Sequence, residues 1–282
     1  MFKYLCKVAF LPQVLNLLCP YVLTMTQAGR IEKYYWEKVH SQGSMLFTLI
    51  DPDKCFLDNA AKLAKTSHEA GADAILVGGS IGAQGAVLDE TVQKIKEAVD
   101  IPVVLFPGNI SGLTQFADAV YFMYMLNSRD VYWMSTAQIQ AAPAVQKMKI
   151  EAIPTSYLVL EPGRAVGWIG NANLIPRDRP DLAYACALAS KYMGAHVVIS
   201  DSGSGAEEPA SVEVVRAIAK AVGDDVFYSY GGGVKNGDQA GDIIAAGAHG
   251  IQIGTAFEAT GNVAEKIKKI KAAMLAAGKK RI

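Results

Sequence analysis

Cysteine and histidine are scarce in this sequence, and neither sign of charge is in excess. The chain of 282 residues has four cysteines, Cys6, Cys19, Cys55 and Cys186, without a C-x-x-C pair, and four histidines without an H-x-x-x-H pair. Zinc sites depend on such spacings, so the sequence argues against a zinc site. The unpaired cysteines favour a cytoplasmic protein with free, mostly buried thiols. Lysine plus arginine and aspartate plus glutamate number 27 each, which argues against a nucleic-acid-binding surface.

The sequence also lacks a G-x-G-x-x-G motif after its first predicted strand, which disfavours a dinucleotide-binding fold. From Ser44 onward, short apolar runs alternate with amphipathic segments, a pattern typical of buried parallel strands and their covering helices. We predict strands at residues 45–50, 74–77, 102–106, 119–124, 152–160, 196–200, 226–230 and 250–253. Gly71, Gly194 and Gly247 each precede a strand, where a helix ends in a left-handed residue. This repeated unit predicts a (β/α)8 TIM barrel.

Residues 1–30 form an apolar extension ahead of a single predicted catalytic domain at residues 31–282. Three interpretations of this extension stay open: a membrane anchor or signal-like segment, a gene-model extension that precedes a true start at Met25, and an ordinary packed extension. Pro12 and Pro20 fall inside the apolar run and disfavour a membrane-spanning helix.

One unit of the predicted barrel is too short for a full-length outer helix. Only about a dozen residues separate the third and fourth predicted strands, and they include Pro107, Gly108 and Gly112. A barrel without this helix would expose an apolar groove along its side, whereas a short helical turn would cover the strands. Five aromatic residues fall near this side and are candidates either for the groove wall or for plain core: Tyr121, Phe122, Tyr124, Trp133 and Trp168.

Glycines follow the last two predicted strands. Gly231-Gly232 comes after the seventh strand and Gly254-Thr255 after the eighth. Glycine lets backbone amides approach an anion closely, and the N-terminus of the following helix adds partial positive charge. Tight turns alone would also favour glycine at these positions. Because both turns lie where TIM barrels bind phosphate groups, the sequence predicts a site for a small phosphate ester.

Asp51 and Ser80 come at the ends of the first two predicted strands. A carboxylate and a hydroxyl suit Mg²⁺, which keeps several of its waters and is completed by substrate phosphates. Asp51 is followed by Pro52, however, and a helix N-cap with proline at the next position would produce the same pair.

Seven segments occur in the order in which one known family carries them: LIDPDK, ILVGGSIG, VLFPGN, SYLVLEPGRAVGWIG, SDSGSGAEEP, YGGGV and IGTAFE. From Trp36 to the C-terminus the chain thereby resembles the geranylgeranylglyceryl phosphate synthase family, which includes the bacterial PcrB-type heptaprenylglyceryl phosphate synthases. The long EPG segment is similar to that of the archaeal branch. The resemblance implies an α/β fold, a modified (β/α)8 TIM barrel in which an extended segment replaces the third helix.

The resemblance also implies a prenyltransferase of archaeal-type membrane phospholipid biosynthesis. In that reaction the hydroxyl of sn-glycerol 1-phosphate attacks C1 of geranylgeranyl diphosphate, forming an ether bond and releasing diphosphate. Asp51 and Ser80 match the family's Mg²⁺ ligands, so Mg²⁺ is the expected cofactor. We further expect a homo-oligomer that contacts the membrane peripherally through its prenyl substrate.

By position, the resemblance places the glycerol phosphate pocket at Ile199, Ser200, Asp201, Ser202, Gly203, Ser204, Gly205, Gly231, Gly232, Gly254 and Thr255. The family carries Tyr-Leu-Glu at the end of the sixth strand, where this chain has Ile199-Ser200-Asp201. Asp201 is therefore the expected catalytic residue, with a shorter reach than glutamate and without the neighbouring tyrosine hydroxyl.

Other functions remain open on the sequence alone. A longer-chain, heptaprenyl synthase would share these motifs. Another phosphate-binding TIM-barrel enzyme, such as an isomerase, would share the glycine turns but would usually show a catalytic Lys, His or Cys at a strand end, where only Lys54 is found. A non-catalytic membrane-associated scaffold would explain the apolar N-terminus but not the polar residues at the strand ends.

Overall fold

The structure, a computed structural model, describes residues 28–79, 84–254 and 262–282. Eight parallel strands form a closed barrel in which each strand pairs with its neighbour in chain order and β8 pairs with β1. The strands are β1 (Met45–Ile50), β2 (Ala74–Gly79), β3 (Val103–Pro107), β4 (Ala119–Met125), β5 (Glu151–Val159), β6 (Val197–Asp201), β7 (Phe227–Gly231) and β8 (Gly250–Ile253). The predicted TIM barrel is thereby confirmed.

Helices cover the outside of the barrel and one of its ends. They are α1 (Arg30–Gln42), α2 (Leu57–Glu69), α3 (Gly85–Ala98), α4 (Ala137–Met148), α5 (Arg164–Ile169), α6 (Pro180–Tyr192), α7 (Val212–Val222), α8 (Gly237–Ala245) and α9 (Val263–Gly278). A π-helical turn, Tyr132–Thr136, leads into α4. The apolar residues of α9 that share one face, Ile267, Ile270 and Met274, are buried as their spacing predicts.

No helix connects β3 to β4, which confirms the prediction for this unit. Residues 108–118 form turns and bends instead, and the Asn109 side chain accepts a hydrogen bond from the backbone amide of Ser111. Leu113 and Phe116 from this segment pack against the core beside β3. The outer faces of β3 and β4 therefore have no helix from the segment that connects these two strands.

The N-terminal end of the barrel is closed by α1. The carboxylate of Glu151, at the start of β5, accepts hydrogen bonds from the backbone amides of Ile31 and Glu32 and so satisfies the first turn of the helix. Tyr35 on α1 packs its ring against Phe47 and Phe227 inside the barrel. With this end filled by aromatic side chains, the open mouth is at the carboxyl ends of the strands.

Within the described ranges, no helix is long and apolar enough to cross a membrane. The apolar extension discussed above, the candidate start at Met25 included, lies outside those ranges up to residue 27.

Candidate active site

A pocket opens at the carboxyl ends of β6, β7 and β8, where the sequence predicts phosphate binding. Its lining residues are Leu49, Asp201, Ser204, Gly205, Ala206, Gly232, Gly233, Val234, Lys235, Gln252, Ile253, Gly254 and Lys266. We call this the polar pocket. It brings together predicted residues from three strand ends and adds two lysines, Lys235 and Lys266, that the sequence analysis did not single out.

Asp201 is the buried carboxylate of the polar pocket. Its Oδ1 accepts a hydrogen bond from the Gly203 backbone amide at 2.6 Å, and its Oδ2 accepts one from the Tyr157 hydroxyl at 2.9 Å. The Gln252 side-chain amide lies 3.5 Å from the same Oδ2. Burial raises the pKa of the Asp201 carboxyl above its usual value, although these three donors oppose the rise. The group is therefore well held and more basic than an exposed aspartate.

Two glycines at the end of β7 make room for this carboxylate. A β-carbon at Gly231 would lie 2.9 Å from Asp201 Oδ2, and one at Gly232 would lie 2.8 Å from Asp201 Oδ1. Gly232 also has a φ of +85°, which disfavours other residues. The glycines thus allow close packing around Asp201, and Gly232 also lines the polar pocket.

Three residues of the predicted glycerol phosphate stretch are not among those that line the polar pocket. Ile199 is fully buried in the barrel interior, one layer below Asp201. Successive side chains alternate along a strand, so Ser200 faces outward and its hydroxyl bonds to Tyr228 at 2.8 Å. The Ser202 hydroxyl bonds to Tyr230 at 3.0 Å and is fully buried. These three positions hold the strand end in place, and the pocket wall is made by Ser204 and Gly205 beyond them.

Two of the predicted residues, Ser80 and Thr255, lie outside the described residues. Their neighbours are in place: Gly254 lines the polar pocket, and Gly79 ends β2 at the same edge of the barrel as Asp51.

Asp51 lies at the end of β1 and does not cap a helix, because α2 begins only at Leu57 with Phe56 as its N-cap. A β-carbon at Gly79 would lie 3.1 Å from Oδ1 of Asp51 and 3.1 Å from Oδ1 of Asp53. Two carboxylate oxygens thus face the end of β2. The other oxygen of Asp51 bonds to the Lys54 ammonium at 2.5 Å. Burial raises the pKa of the Asp51 carboxyl, and Lys54 counteracts this.

This carboxylate pair meets the needs of a magnesium ion, which takes one or two carboxylates and keeps waters or phosphate oxygens as its other ligands. The described residues contain no group of three or more His, Cys, Asp or Glu side chains arranged to hold a metal. Among the described residues, the two carboxylates Asp51 and Asp53 match the one or two that Mg²⁺ takes from a protein.

An apolar groove runs over β3 and β4, where the outer helix is missing. Its lining residues are Pro107, Gly108, Asn109, Ile110, Leu113, Val120, Tyr121, Phe122, Met123, Met125, Trp133, Ala137, Gln138, Ala141, Val145, Tyr157, Val166, Ile169 and Gly170. The candidates Tyr121, Phe122 and Trp133 are among them. Tyr124 is not in the wall, and Trp168 lies on the surface of α5 with 85% of its side chain exposed.

Tyr157 and Gln252 are site residues that could not be predicted from the sequence. Tyr157 lines the apolar groove with its ring and bonds to Asp201 in the polar pocket with its hydroxyl. Its inward orientation follows from the alternation of β5, but the contact with Asp201 depends on the register of β5 against β6. Gln252 lies in the apolar segment at residues 250–253, whose pattern predicts only a buried strand. No local motif marks either residue.

Residues 36–274 match the PcrB family. The chain is 46% identical over 244 residues to the geranylgeranylglyceryl phosphate synthase of Pyrococcus horikoshii, which covers 86% of this chain and 95% of that protein. It is 44% identical over 245 residues to the protein of the same name from Methanococcoides burtonii, covering 87% of this chain and 99% of that protein.

Solved structures resemble the barrel closely. The crystal structure of (S)-3-O-geranylgeranylglyceryl phosphate synthase from Thermoplasma acidophilum, in complex with its substrate sn-glycerol-1-phosphate, superposes with a TM-score of 0.84 at 35% identity. The match covers 88% of this chain and 100% of that one. The matched range of the family, residues 36–274, includes the lining residues of both pockets and the segment between β3 and β4.

Proposed function

The chain belongs to the PcrB family, and on that basis we propose that it transfers a geranylgeranyl group from geranylgeranyl diphosphate to sn-glycerol 1-phosphate. The product carries the first ether bond of an archaeal-type membrane phospholipid, and diphosphate is released. The observation that carries the proposal is the meeting of a polar pocket and an apolar groove at one side chain, Tyr157.

The apolar groove suits the prenyl chain of the donor. Its wall is made almost entirely of aliphatic, aromatic and methionine side chains, among them Val120, Met123 and Val145. A hydrocarbon chain transferred from water to such a surface gains roughly 25 cal/mol for each Å² of apolar area buried. The groove reaches Gly108 at the end of β3 and Tyr157, which bonds to Asp201, so a chain lying in it has its reactive end near Asp201.

The polar pocket suits glycerol phosphate. Gly232 and Gly254 present backbone to a phosphate group, and Lys235 and Lys266 add positive charge to the same wall. The glycerol part then lies toward Asp201 and Gln252, which are deeper in the barrel. Binding of the phosphate in this way orients the hydroxyl that reacts.

Asp201 acts as the general base of the transfer. The oxygen of the glycerol hydroxyl bonds to C1 of the prenyl group, its proton passes to the Asp201 carboxylate, and the bond from C1 to the diphosphate oxygen breaks. Burial raises the pKa of the Asp201 carboxyl, which strengthens its carboxylate as a base. Asp201 takes the place of the glutamate in the family pattern, whose side chain is longer.

Mg²⁺ bound by Asp51, together with Ser80 and with Asp53 close by, would neutralise charge on the departing diphosphate. Lys54, which bonds to Asp51, is placed to contribute further positive charge at this edge. The cation site lies at the ends of β1 and β2, and the polar pocket lies at the ends of β6, β7 and β8. The diphosphate of the donor and the phosphate of the acceptor therefore have separate binding sites.

Incubation with labelled sn-glycerol 1-phosphate and a ladder of prenyl diphosphates tests the proposal. We expect ether product from geranylgeranyl diphosphate at the highest kcat/KM. A preference for heptaprenyl diphosphate would assign the chain to the longer-chain activity of the same family. Absence of ether product with every donor, in the presence of Mg²⁺, would overturn the proposal and favour another phosphate-binding barrel enzyme or a scaffold.

The same proposal expects peripheral contact with membranes, because the prenyl donor resides there, and a homo-oligomeric enzyme. Co-sedimentation with vesicles that contain geranylgeranyl diphosphate measures the first, and light scattering of the purified chain measures the second. Equal binding to vesicles with and without the donor would contradict the membrane contact. A monomeric mass would contradict the homo-oligomer.

A further inference from the structure

Tyr157 lines the apolar groove and bonds to Asp201, the buried carboxylate of the polar pocket. It lies on β5, one layer below the strand end, and only 4% of its surface is exposed. Its ring meets that of Phe106 edge to face, with centroids 5.6 Å apart, and forms part of the groove wall. Its hydroxyl reaches across to Asp201 Oδ2 at 2.9 Å. One side chain therefore touches the expected path of both substrates.

We propose that Tyr157 is the positioning residue of the transfer: its hydroxyl fixes the Asp201 carboxylate at the boundary between the two pockets, while its ring holds the reactive end of the prenyl chain. The inference rests on the proposed function, since it assigns Tyr157 a task within that reaction. It names a residue from β5, whereas the family resemblance places the substrate-binding residues on β6, β7 and β8.

The hydrogen bonds around Asp201 give Tyr157 this task. Oδ1 is fixed by the Gly203 amide at 2.6 Å, whereas Oδ2 depends on the Tyr157 hydroxyl at 2.9 Å and the more distant Gln252 amide at 3.5 Å. Two carboxylate oxygens offer about four acceptor positions, so one remains for the glycerol hydroxyl. Removal of the Tyr157 hydroxyl leaves Oδ2 with a single long contact.

Tyr157 donates this bond under all working conditions. Burial, and then the charge of Asp201, raises the pKa of its hydroxyl well above the usual value, so the proton stays on the tyrosine. Asp201 is in turn faced by Gln252 from β8 and by Tyr230 from β7, and Lys235 and Lys266 line the same pocket. Among these, Tyr157 is the nearest side-chain donor to Asp201.

The variant Tyr157→Phe tests the proposal because it removes the hydroxyl and keeps the ring. Losing a hydrogen bond to a carboxylate is expected to lower kcat by about 10- to 100-fold. The KM for geranylgeranyl diphosphate should change by less than about 2-fold, because phenylalanine still forms the groove wall. The acidic limb of the kcat/KM profile should move to higher pH by roughly one unit, because the carboxylate has lost a donor.

Tyr121→Phe is the matched control. Tyr121 also lines the groove and is fully buried, but its hydroxyl lies 3.2 Å from that of Tyr35 rather than near Asp201. Both variants lose one buried hydroxyl, so a general loss of stability affects both. We expect an unchanged pH profile for Tyr121→Phe.

A second readout separates this inference from the proposed function. The ¹³C resonance of the Asp201 carboxyl, followed by NMR as the pH is changed without substrate, should titrate at higher pH in Tyr157→Phe than in the wild type and in Tyr121→Phe. Equal titration in all three proteins, or equal loss of kcat in both variants, would overturn the positioning role. The remaining outcome is that the Asp201 carboxyl titrates at higher pH in Tyr157→Phe than in the wild type although the wild type forms no ether product. That combination would overturn the proposed function and leave the hydrogen bond between Tyr157 and Asp201 supported.

Discussion

A β-carbon at Gly231 would lie 2.9 Å from Asp201 Oδ2 and 2.8 Å from Gln252 Nε2. The end of β7 therefore passes so close to its neighbours on β6 and β8 that only a hydrogen atom fits between the backbone and two side chains of the polar pocket. The position of the Asp201 carboxylate depends on this missing side chain as much as on its own hydrogen bonds.

The first prediction concerns this contact. Gly231→Ala should force Asp201 and Gln252 apart, lowering kcat/KM by about 100-fold and the free energy of unfolding by about 1–3 kcal/mol. Gly241→Ala is the control, because a β-carbon at Gly241 would meet Ala273 at an ordinary 3.8 Å. That helical substitution should leave activity unchanged and raise stability by up to about 1 kcal/mol. Near-wild-type activity of Gly231→Ala would show that Asp201 has room to move without consequence.

The second prediction concerns Mg²⁺. Removal of divalent cations with EDTA should abolish the transfer, and Asp51→Asn should lower activity by roughly two orders of magnitude at saturating Mg²⁺. Asp58→Asn is the control, since Asp58 is an exposed residue of α2 that pairs with Lys94. Prenyl transfer measured across a Mg²⁺ titration decides the point. Activity of Asp51→Asn within a few-fold of the wild type would remove Asp51 from the metal site.

Most of the barrel could be predicted because its signals are local. Apolar runs located all eight strands, and the predicted strands at residues 45–50 and 250–253 have the ends that the structure gives them. The proline and glycines after Phe106 predicted the missing helix, since their backbone preferences disfavour helix formation whatever surrounds them. The ends of the other strands moved by one or two residues, because strand pairing decides them.

The pocket was less predictable because it is made by pairing between strands. Sequence similarity placed Ser200 and Ser202 in the binding stretch, but the alternation of β6 turns both hydroxyls toward Tyr228 and Tyr230. Tyr157 is 44 residues from Asp201 in the chain, and only the register of β5 against β6 brings them together. Such long-range contacts leave no pattern in either segment alone.

The third prediction tests the apolar groove by filling it. Ala141→Phe places a ring in the groove wall, so the KM for geranylgeranyl diphosphate should rise by about 10-fold or more, with a smaller effect on a short donor such as dimethylallyl diphosphate. Ala142→Phe is the matched control, because Ala142 is the next residue of α4 and is exposed outside the groove. Equal KM values for the two variants would show that the prenyl chain lies elsewhere.

The fourth prediction concerns stability in acid. His249 accepts a hydrogen bond from the Tyr228 amide at 3.0 Å, and burial, followed by the charges of Arg281 and His40, lowers its pKa from 6.5 to about 3. The unfolded chain binds this proton below pH 6.5 and the folded chain does not. His249 therefore stabilises the fold above that pH, and its contribution is lost toward pH 3 at up to about 1.4 kcal/mol per pH unit.

His249→Asn keeps an acceptor for the Tyr228 amide but cannot be protonated. The free energy of unfolding, measured with urea between pH 4 and 8, should fall less steeply below pH 6.5 in the variant, while the two curves run parallel above pH 7. Equal slopes below pH 6.5 would mean that His249 is protonated in the folded barrel.

The measurement that tests the account most directly is a competition between the two enantiomers of glycerol phosphate. The wild-type chain is given geranylgeranyl diphosphate, Mg²⁺ and equal concentrations of sn-glycerol 1-phosphate and sn-glycerol 3-phosphate, and the configuration of the ether product is determined. In the proposed function Gly232 and Gly254 bind the phosphate and Asp201 accepts the proton of the reacting hydroxyl, so only one enantiomer would present that hydroxyl to the base. The account predicts that the product of the 1-phosphate exceeds the other by about 100-fold. A racemic product, or a preference for the 3-phosphate, would contradict it.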